Sequence, residues 1–143
     1  MLMLRAEIGR HIPHSGSMCL LDELLEWDPE RIVCAAHSHH APDNPLRHDG
    51  RVRAVCGIEY AAQAMALHGS LTAAAKPGMA VGYLASVRDV VCRVALLDEA
   101  PGRLRICAQR LAAEEAGALY AFQIWADDQE LLRGRAAVVV RNS

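Results

Sequence analysis

The sequence predicts an α+β domain in which an antiparallel sheet of about six strands wraps around one long central helix. Three observations point there. The run from Gly57 to Ala75 is Ala-rich, apolar almost all round in its first half and stopped by Lys76-Pro77-Gly78, the mark of a helix surrounded by protein. Before it lie two segments joined by the turn signal Asp28-Pro29, and after it come four stretches of strand character separated by turn chemistry. Size is the third: 143 residues, 52% hydrophobic and 22% charged, suit one core and a single domain over residues 1–143.

From the N-terminus, residues 9–16 (Gly-Arg-His-Ile-Pro-His-Ser-Gly) read as an irregular lead-in or a short turn of helix, because Pro13 and Gly16 interrupt any periodicity. Met18 to Trp27 and Arg31 to His37, the latter with the β-branched pair Ile32-Val33, suit a hairpin. Ser38 to Arg53 is dense in His, Pro, Asp, Asn and Gly, which is loop chemistry, and loops this long in small domains tend to be functional. Beyond the helix, strands are expected at Val81–Leu97, Gly102–Leu111, Leu119–Ala126 and Leu131–Val140. Glu99-Ala100-Pro101-Gly102, Glu114-Glu115-Ala116-Gly117 and Asp127-Asp128 then read as short antiparallel connections. Tyr120, Phe122 and Ile124 alternate with Ala121, Gln123 and Trp125, as on a strand with one inner face. One long helix inside such a sheet is the hot-dog fold. A domain this small leaves sheet edges open, so a homodimer at least, a double hot-dog, is expected.

Composition narrows the function. Seventeen acidic residues against fifteen basic ones, net −2, lack the footprint of a nucleic-acid binder or a polybasic membrane anchor. Six aromatic residues are too few for a base-stacking platform. The five cysteines, at 19, 34, 56, 92 and 107, form no Cys-x-x-Cys pair and lie in apolar runs, so they read as reduced core residues. Charge at Arg5 and Glu7 comes too early for a signal peptide, and the uncharged run Tyr60 to Ala75 is too short and too polar to span a bilayer. A soluble, cytoplasmic protein is expected.

Glu59 is the first candidate for chemistry. It is a lone carboxylate near the start of a helix whose neighbours Ile58, Tyr60, Ala61, Ala62, Ala64, Met65 and Ala66 are largely apolar. Burial raises a carboxyl's pKa while a helix N-terminus lowers it, a balance that suits a group able to hold and release a proton near neutral pH. Gln63, four residues on, shares its face and can orient it. The bland alternative is an acidic residue in the first helical turn that faces solvent. The second candidate is the cluster His37-Ser38-His39-His40, with His48 beyond it, in the loop before the helix. A metal site, a catalytic base and solvated loop residues all fit such a cluster, although no Cys pair or second His motif completes a zinc ligand set, so no metal is expected.

The order Ile12-Pro13-His14, Leu20-Leu21-Asp22, Glu59-Tyr60-Ala61-Ala62-Gln63-Ala64 and Tyr83-Leu84-Ala85-Ser86-Val87-Arg88 resembles that of hot-dog 3-hydroxyacyl-[acyl-carrier-protein] dehydratases, most of all the aryl polyene biosynthesis branch. The resemblance spans nearly the whole chain. It implies dehydration of a 3-hydroxyacyl thioester, held on the phosphopantetheine of an acyl carrier protein, to the trans-2-enoyl thioester, with no cofactor. The family's helix carboxylate and loop histidine come from different subunits. Glu59 matches that carboxylate and Gln63 the family's glutamine. His40-Ala41-Pro42-Asp43-Asn44-Pro45 keeps the His and both prolines of the family's His-Phe-Pro-Gly-x-Pro but lacks the Phe and Gly, and stands five residues farther from the carboxylate. His39 and His40 therefore rank together as base, ahead of His48. Arg53-Ala54 replaces the family's Pro-Gly before the helix, leaving Gly57 as the substitute backbone donor to the thioester carbonyl. Arg47, Arg51, Arg53 and Arg88 are candidates to meet phosphate and an acidic carrier protein. A hot-dog thioesterase using Glu59, and a non-catalytic subunit docked on an active dehydratase, are the alternatives.

Overall fold

The computed structural model describes residues 1–12, 16–72, 81–114 and 116–141, the side chains at 81–83 and 140–141 aside. Strand β1 (Met3–Leu4) leads into helix α1 (Arg5–His11), followed by strands β2 (Glu23–Asp28) and β3 (Arg31–Ala36). Helix α2 (Gly57–Thr72) precedes β4 (Val81–Cys92), β5 (Leu104–Glu114), β6 (Gly117–Ala126) and β7 (Gln129–Arg141). All pairings are antiparallel, in one seven-stranded sheet of order β1-β2-β3-β5-β6-β7-β4. The expected α+β hot-dog architecture holds, with the short β1 as an added edge.

Helix α2 has no exposed residue anywhere along its described length, as its all-round apolar character requires. Tyr60, Ala61, Ala64, Met65 and Leu67 pack into a core built with Ile32, Cys34, Leu104, Ile106, Phe122, Ile124 and Leu132. Gly57 shows how close the packing is at the start of the helix. A Cβ there would lie 2.7 Å from Leu132 Cδ2 and 3.0 Å from Ile124 Cδ1, so the absence of a side chain lets the helix seat on β6 and β7. The β6 alternation is as read, with Tyr120, Phe122 and Ile124 buried and the residues between them half-buried.

Three expectations are corrected, and a fourth falls beyond the described residues. The short helix starts earlier than read, at Arg5, and takes in only residues 9–11 of the segment 9–16, of which residues 13–15 fall outside the described part. Val81–Leu97 is not one strand: it ends at Cys92, and residues 93–103 cross the sheet, because β4 pairs with β7 and not with β5. The expected end of the helix at Ala75 lies outside the described residues; the described helix closes at Thr72. Finally, the cysteines are free, but only Cys19 and Cys34 are buried, while Cys56 and Cys107 are half-buried and Cys92 is exposed.

Strand β4 forms one edge of the sheet. From residue 84 to residue 92 only Val90 is even half-buried, so the edge is bare on both faces, including the apolar Leu84, Val87 and Val91.

Candidate active site

The segment between β3 and α2 is irregular, as its composition requires, yet hydrogen bonds order it throughout. It opens on a 3-10 turn, Ser38–His40, that buries Ser38 and His39. Ser38 Oγ donates to the Leu20 carbonyl at 2.7 Å and lies 2.8 Å from Tyr60 Oη. Asn44 Nδ2 donates both to the Ser38 carbonyl (2.8 Å) and to Tyr60 Oη (3.1 Å), while Asn44 Oδ1 accepts the Leu46 amide in an Asx turn. A phenol in an apolar helix needs such partners, and burial pushes the Tyr60 pKa up, against the pull of Ser38 and Asn44. Tyr60 thus binds the histidine turn to the helix that carries Glu59.

His39 and His40 stack with ring centroids 3.8 Å apart. Both address one acceptor, the Ala100 carbonyl, from Nε2, at 3.1 Å for His39 and 2.7 Å for His40. A carbonyl only accepts, so each Nε2 carries the proton and each Nδ1 keeps a lone pair. The two rings then differ. His39 has no exposed surface and its Nδ1 is buried without a partner, whereas His40 is exposed. Burial, then the neighbouring His40 ring, hold the His39 pKa down at about 4, so this ring is neutral at pH 7.

Glu59, the third residue of α2, is half-buried at the positive end of the helix dipole. Gln63 Nε2 reaches its Oε1 at 3.5 Å, on the shared face read from the spacing. Gln63 is committed more strongly elsewhere. Its Oε1 accepts the Leu20 amide and its Nε2 donates to the Met18 carbonyl, both at 2.8 Å. The Leu20-Leu21-Asp22 motif becomes a hub: Gln63 holds the Leu20 amide, Ser38 the Leu20 carbonyl, and Asp22 Oδ2 accepts the His37 amide at 2.8 Å.

Other expected site residues fare differently. The His48 side chain is 80% exposed on a turn closed by the His48–Arg51 bridge, with Nε2 3.5 Å from Asp49, and it hydrogen-bonds to neither His39 nor His40. The Gly57 amide is occupied by the carbonyls of Ala54 and Val55 in the 3-10 turn before α2, so the thioester-carbonyl donor expected there is already spent. Arg47 and Arg51 already have partners within the chain. The Arg47 guanidinium donates to the carbonyls of Ala41, Gly50 and His39, and Arg51 Nε donates to Asp98 Oδ2. Sequence reading missed Ala100, Asp98 and Asn44, because a backbone acceptor 60 residues from His40 leaves no signature. An open groove of about 680 Å³ lies on the opposite face of the sheet, lined by Arg31, Arg103, Arg105, Gln123 and Trp125. No cluster of three or more potential metal ligands occurs among the described residues, and no helix among them is long and apolar enough to cross a membrane.

Comparison with known proteins gives this arrangement a family. Residues 6–143 match the model of the ApeP-like family, described as ApeP dehydratase. The chain belongs to the ApeP-like dehydratases. No curated protein sequence matches it. Among solved structures, the dehydratase heterocomplex ApeI:P from Xenorhabdus doucetiae superposes with a TM-score of 0.83 at 22% identity, covering 95% of this chain and 91% of that one. Thioesterase PA1618 from Pseudomonas aeruginosa, in a mutant form, gives 0.70 at 13% identity over 100% and 97% of the two chains. Thioesterase HI1161 from Haemophilus influenzae gives 0.69 at 12% identity over 99% and 93%. At these identities the solved structures show the hot-dog fold.

Proposed function

We propose that this ApeP-like chain, paired along β4 with a second hot-dog chain, dehydrates a 3-hydroxyacyl thioester carried on an acyl carrier protein to the trans-2-enoyl thioester, in fatty-acid or aryl-polyene-type biosynthesis. His40 Nδ1 takes the proton from the carbon alpha to the thioester carbonyl. The electron pair of that C–H bond becomes the new double bond, the C3–O bond breaks, and the Glu59 carboxyl gives its proton to the departing hydroxyl, which leaves as water. Imidazolium and carboxylate remain, and proton return through solvent resets both. The chemistry calls for no cofactor.

One observation carries this reading: in a dehydratase-family chain, His40 stands exposed with Nε2 committed to the Ala100 carbonyl and its lone pair on Nδ1. His39, its equal from sequence, has no surface through which to meet a substrate and acts as the ring beneath. The bare β4 edge supports a partner, either a second copy or a different chain, as in the ApeI:P dehydratase heterocomplex. Arg53 and Arg88 remain as exposed arginines for an acidic carrier protein.

The thioesterase neighbours favour a second reading, hydrolysis of the same thioester with Glu59 activating water. Incubation with a 3-hydroxyacyl carrier-protein thioester separates the two. Loss of water by mass, abolished in Glu59→Gln and His40→Asn, is the expected result, and free thiol without enoyl product would replace the dehydratase with the thioesterase.

A further inference from the structure

We infer that the segment behind β4, residues 94–100, is a clamp that positions the histidine pair, and that Asp98 is the positioning residue that sets it; the inference rests on His40 serving as the base. The segment has no regular structure of its own, yet it is laid like a strand along the residues that precede α2. The Leu97 amide donates to the Val52 carbonyl at 2.8 Å, the Ala54 amide donates to the Ala95 carbonyl at 2.9 Å, and Arg53 and Leu96 form a bridge. Asp98 closes this short ladder. Its Oδ1 accepts the Val52 amide and its Oδ2 accepts Arg51 Nε, each at 2.8 Å, from a side chain only 13% exposed. Burial opposes the charge, but the Val52 amide and the Arg51 guanidinium outweigh it and hold the Asp98 carboxyl below its ordinary pKa.

Two residues further on, the chain turns through the Ala100 amide bond to Leu97 O (3.0 Å) and offers the Ala100 carbonyl to both imidazoles. Arg47 holds the histidine turn within its own loop, through the His39 and Ala41 carbonyls. The histidine rings are therefore set between two clips. One belongs to their own loop, and the other comes from a segment about 60 positions later in the chain. The Arg51 ion pair is partly exposed and contributes little by itself, so the weight falls on the Asp98–Val52 bond. Without Asp98 the Val52 amide loses its acceptor, the ladder loosens beside Ala100, and the two N–H donors lose a fixed target. Holding the base this way is worth rate rather than binding, because the carbonyl touches the ring and not the substrate.

The test compares Asp98→Ala and Asp98→Asn with the wild-type chain, together with whatever partner it purifies with. NMR of histidine-labelled protein reads the imidazole Nε2 protons directly, independently of turnover. Besides the resonance of His68, held by the Asp28 carbonyl and unaffected throughout, two hydrogen-bonded, exchange-protected resonances from His39 and His40 are expected in the wild type and in Asp98→Asn, whose Oδ1 still serves Val52, and the loss of these two is expected in Asp98→Ala. On a 3-hydroxyacyl carrier-protein thioester, Asp98→Ala should lower kcat by about 10–100-fold, as loss of a supporting partner does at other sites, with KM little changed. If Asp98→Ala does not fold, Asp98→Ser, which keeps a hydroxyl near Val52 and gives up Arg51, carries the same comparison with a smaller loss. Resonances and kcat unchanged in whichever of these folds, or resonances lost in Asp98→Asn, overturn the clamp. Resonances that respond as expected in a protein with no dehydratase activity leave the clamp standing and sink the dehydratase reading instead.

Discussion

His39 and His68 are both buried histidines without exposed surface, and the chain treats them in opposite ways. His68, near the C-terminal end of α2, has a partner on each nitrogen: Nε2 donates to the Asp28 carbonyl, and Nδ1 accepts from Tyr120 Oη, both at 2.7 Å. Tyr120 Oη in turn receives Arg110 Nη2, which also reaches Thr72 Oγ1. That ring ties helix, hairpin turn and β6 together. His39 has one nitrogen on Ala100 and the other unpartnered, with a second ring 3.8 Å away. Burial lowers both pKa values, but only His39 has another imidazole pushing it further. A fully satisfied buried histidine is a staple; an unsatisfied one beside an exposed partner marks where the fold has spent stability on a site.

The largest test of that contrast is catalytic. His40→Asn and Glu59→Gln should each cut dehydration by about 10²–10⁴-fold, the usual worth of a positioned acid or base, whereas His68→Asn should cost stability and leave kcat per folded molecule nearly unchanged. Next comes pH. The His39 pKa is 6.5 ordinarily and about 4 when folded, so the unfolded chain binds the proton more readily. His39's contribution is fully present above pH 6.5 and is lost as the pH falls toward 4, by up to about 3 kcal/mol, with His68 shifting in the same sense. Urea midpoints from pH 7 to 4 should fall accordingly, and His39→Leu should flatten the fall; an unchanged slope would mean the ring is not buried neutral.

At pH 7 the two leucine variants should separate. His68→Leu leaves Tyr120 Oη and the Asp28 carbonyl without their short bonds and should cost about 2 kcal/mol in urea unfolding. His39→Leu should be near neutral, because it removes an orphaned nitrogen and Ala100 keeps its bond to His40. Equal losses would erase the distinction between staple and site. The smallest effect expected is Gly57→Ala, about 1 kcal/mol by overpacking, since the new Cβ meets the movable ends of Leu132 and Ile124.

Much of this molecule is local chemistry and could be read from the chain. The helix follows from its Ala-rich run, β6 from its alternation, and the hairpin from Asp28-Pro29, whose Asp28 Oδ1 accepts the amides of Glu30 and Arg31. Glu59 and Gln63 share a face because helical spacing puts them there. The partners of the arginines could not be read, because composition counts charges and not their destinations: Arg47 donates to carbonyls and Arg51 to Asp98.

Periodicity and turn residues thus determined which segments are helix and strand, and the apolar surround of α2 determined that it would be enclosed. Strand order was beyond them, because β4 joins β7 through pairings about 50 positions apart that depend on the whole sheet. The choice between His39 and His40 was beyond them for the same reason. Adjacent in sequence and identical in chemistry, they differ only in which ring the fold buries and which it leaves exposed on the far-off Ala100 carbonyl.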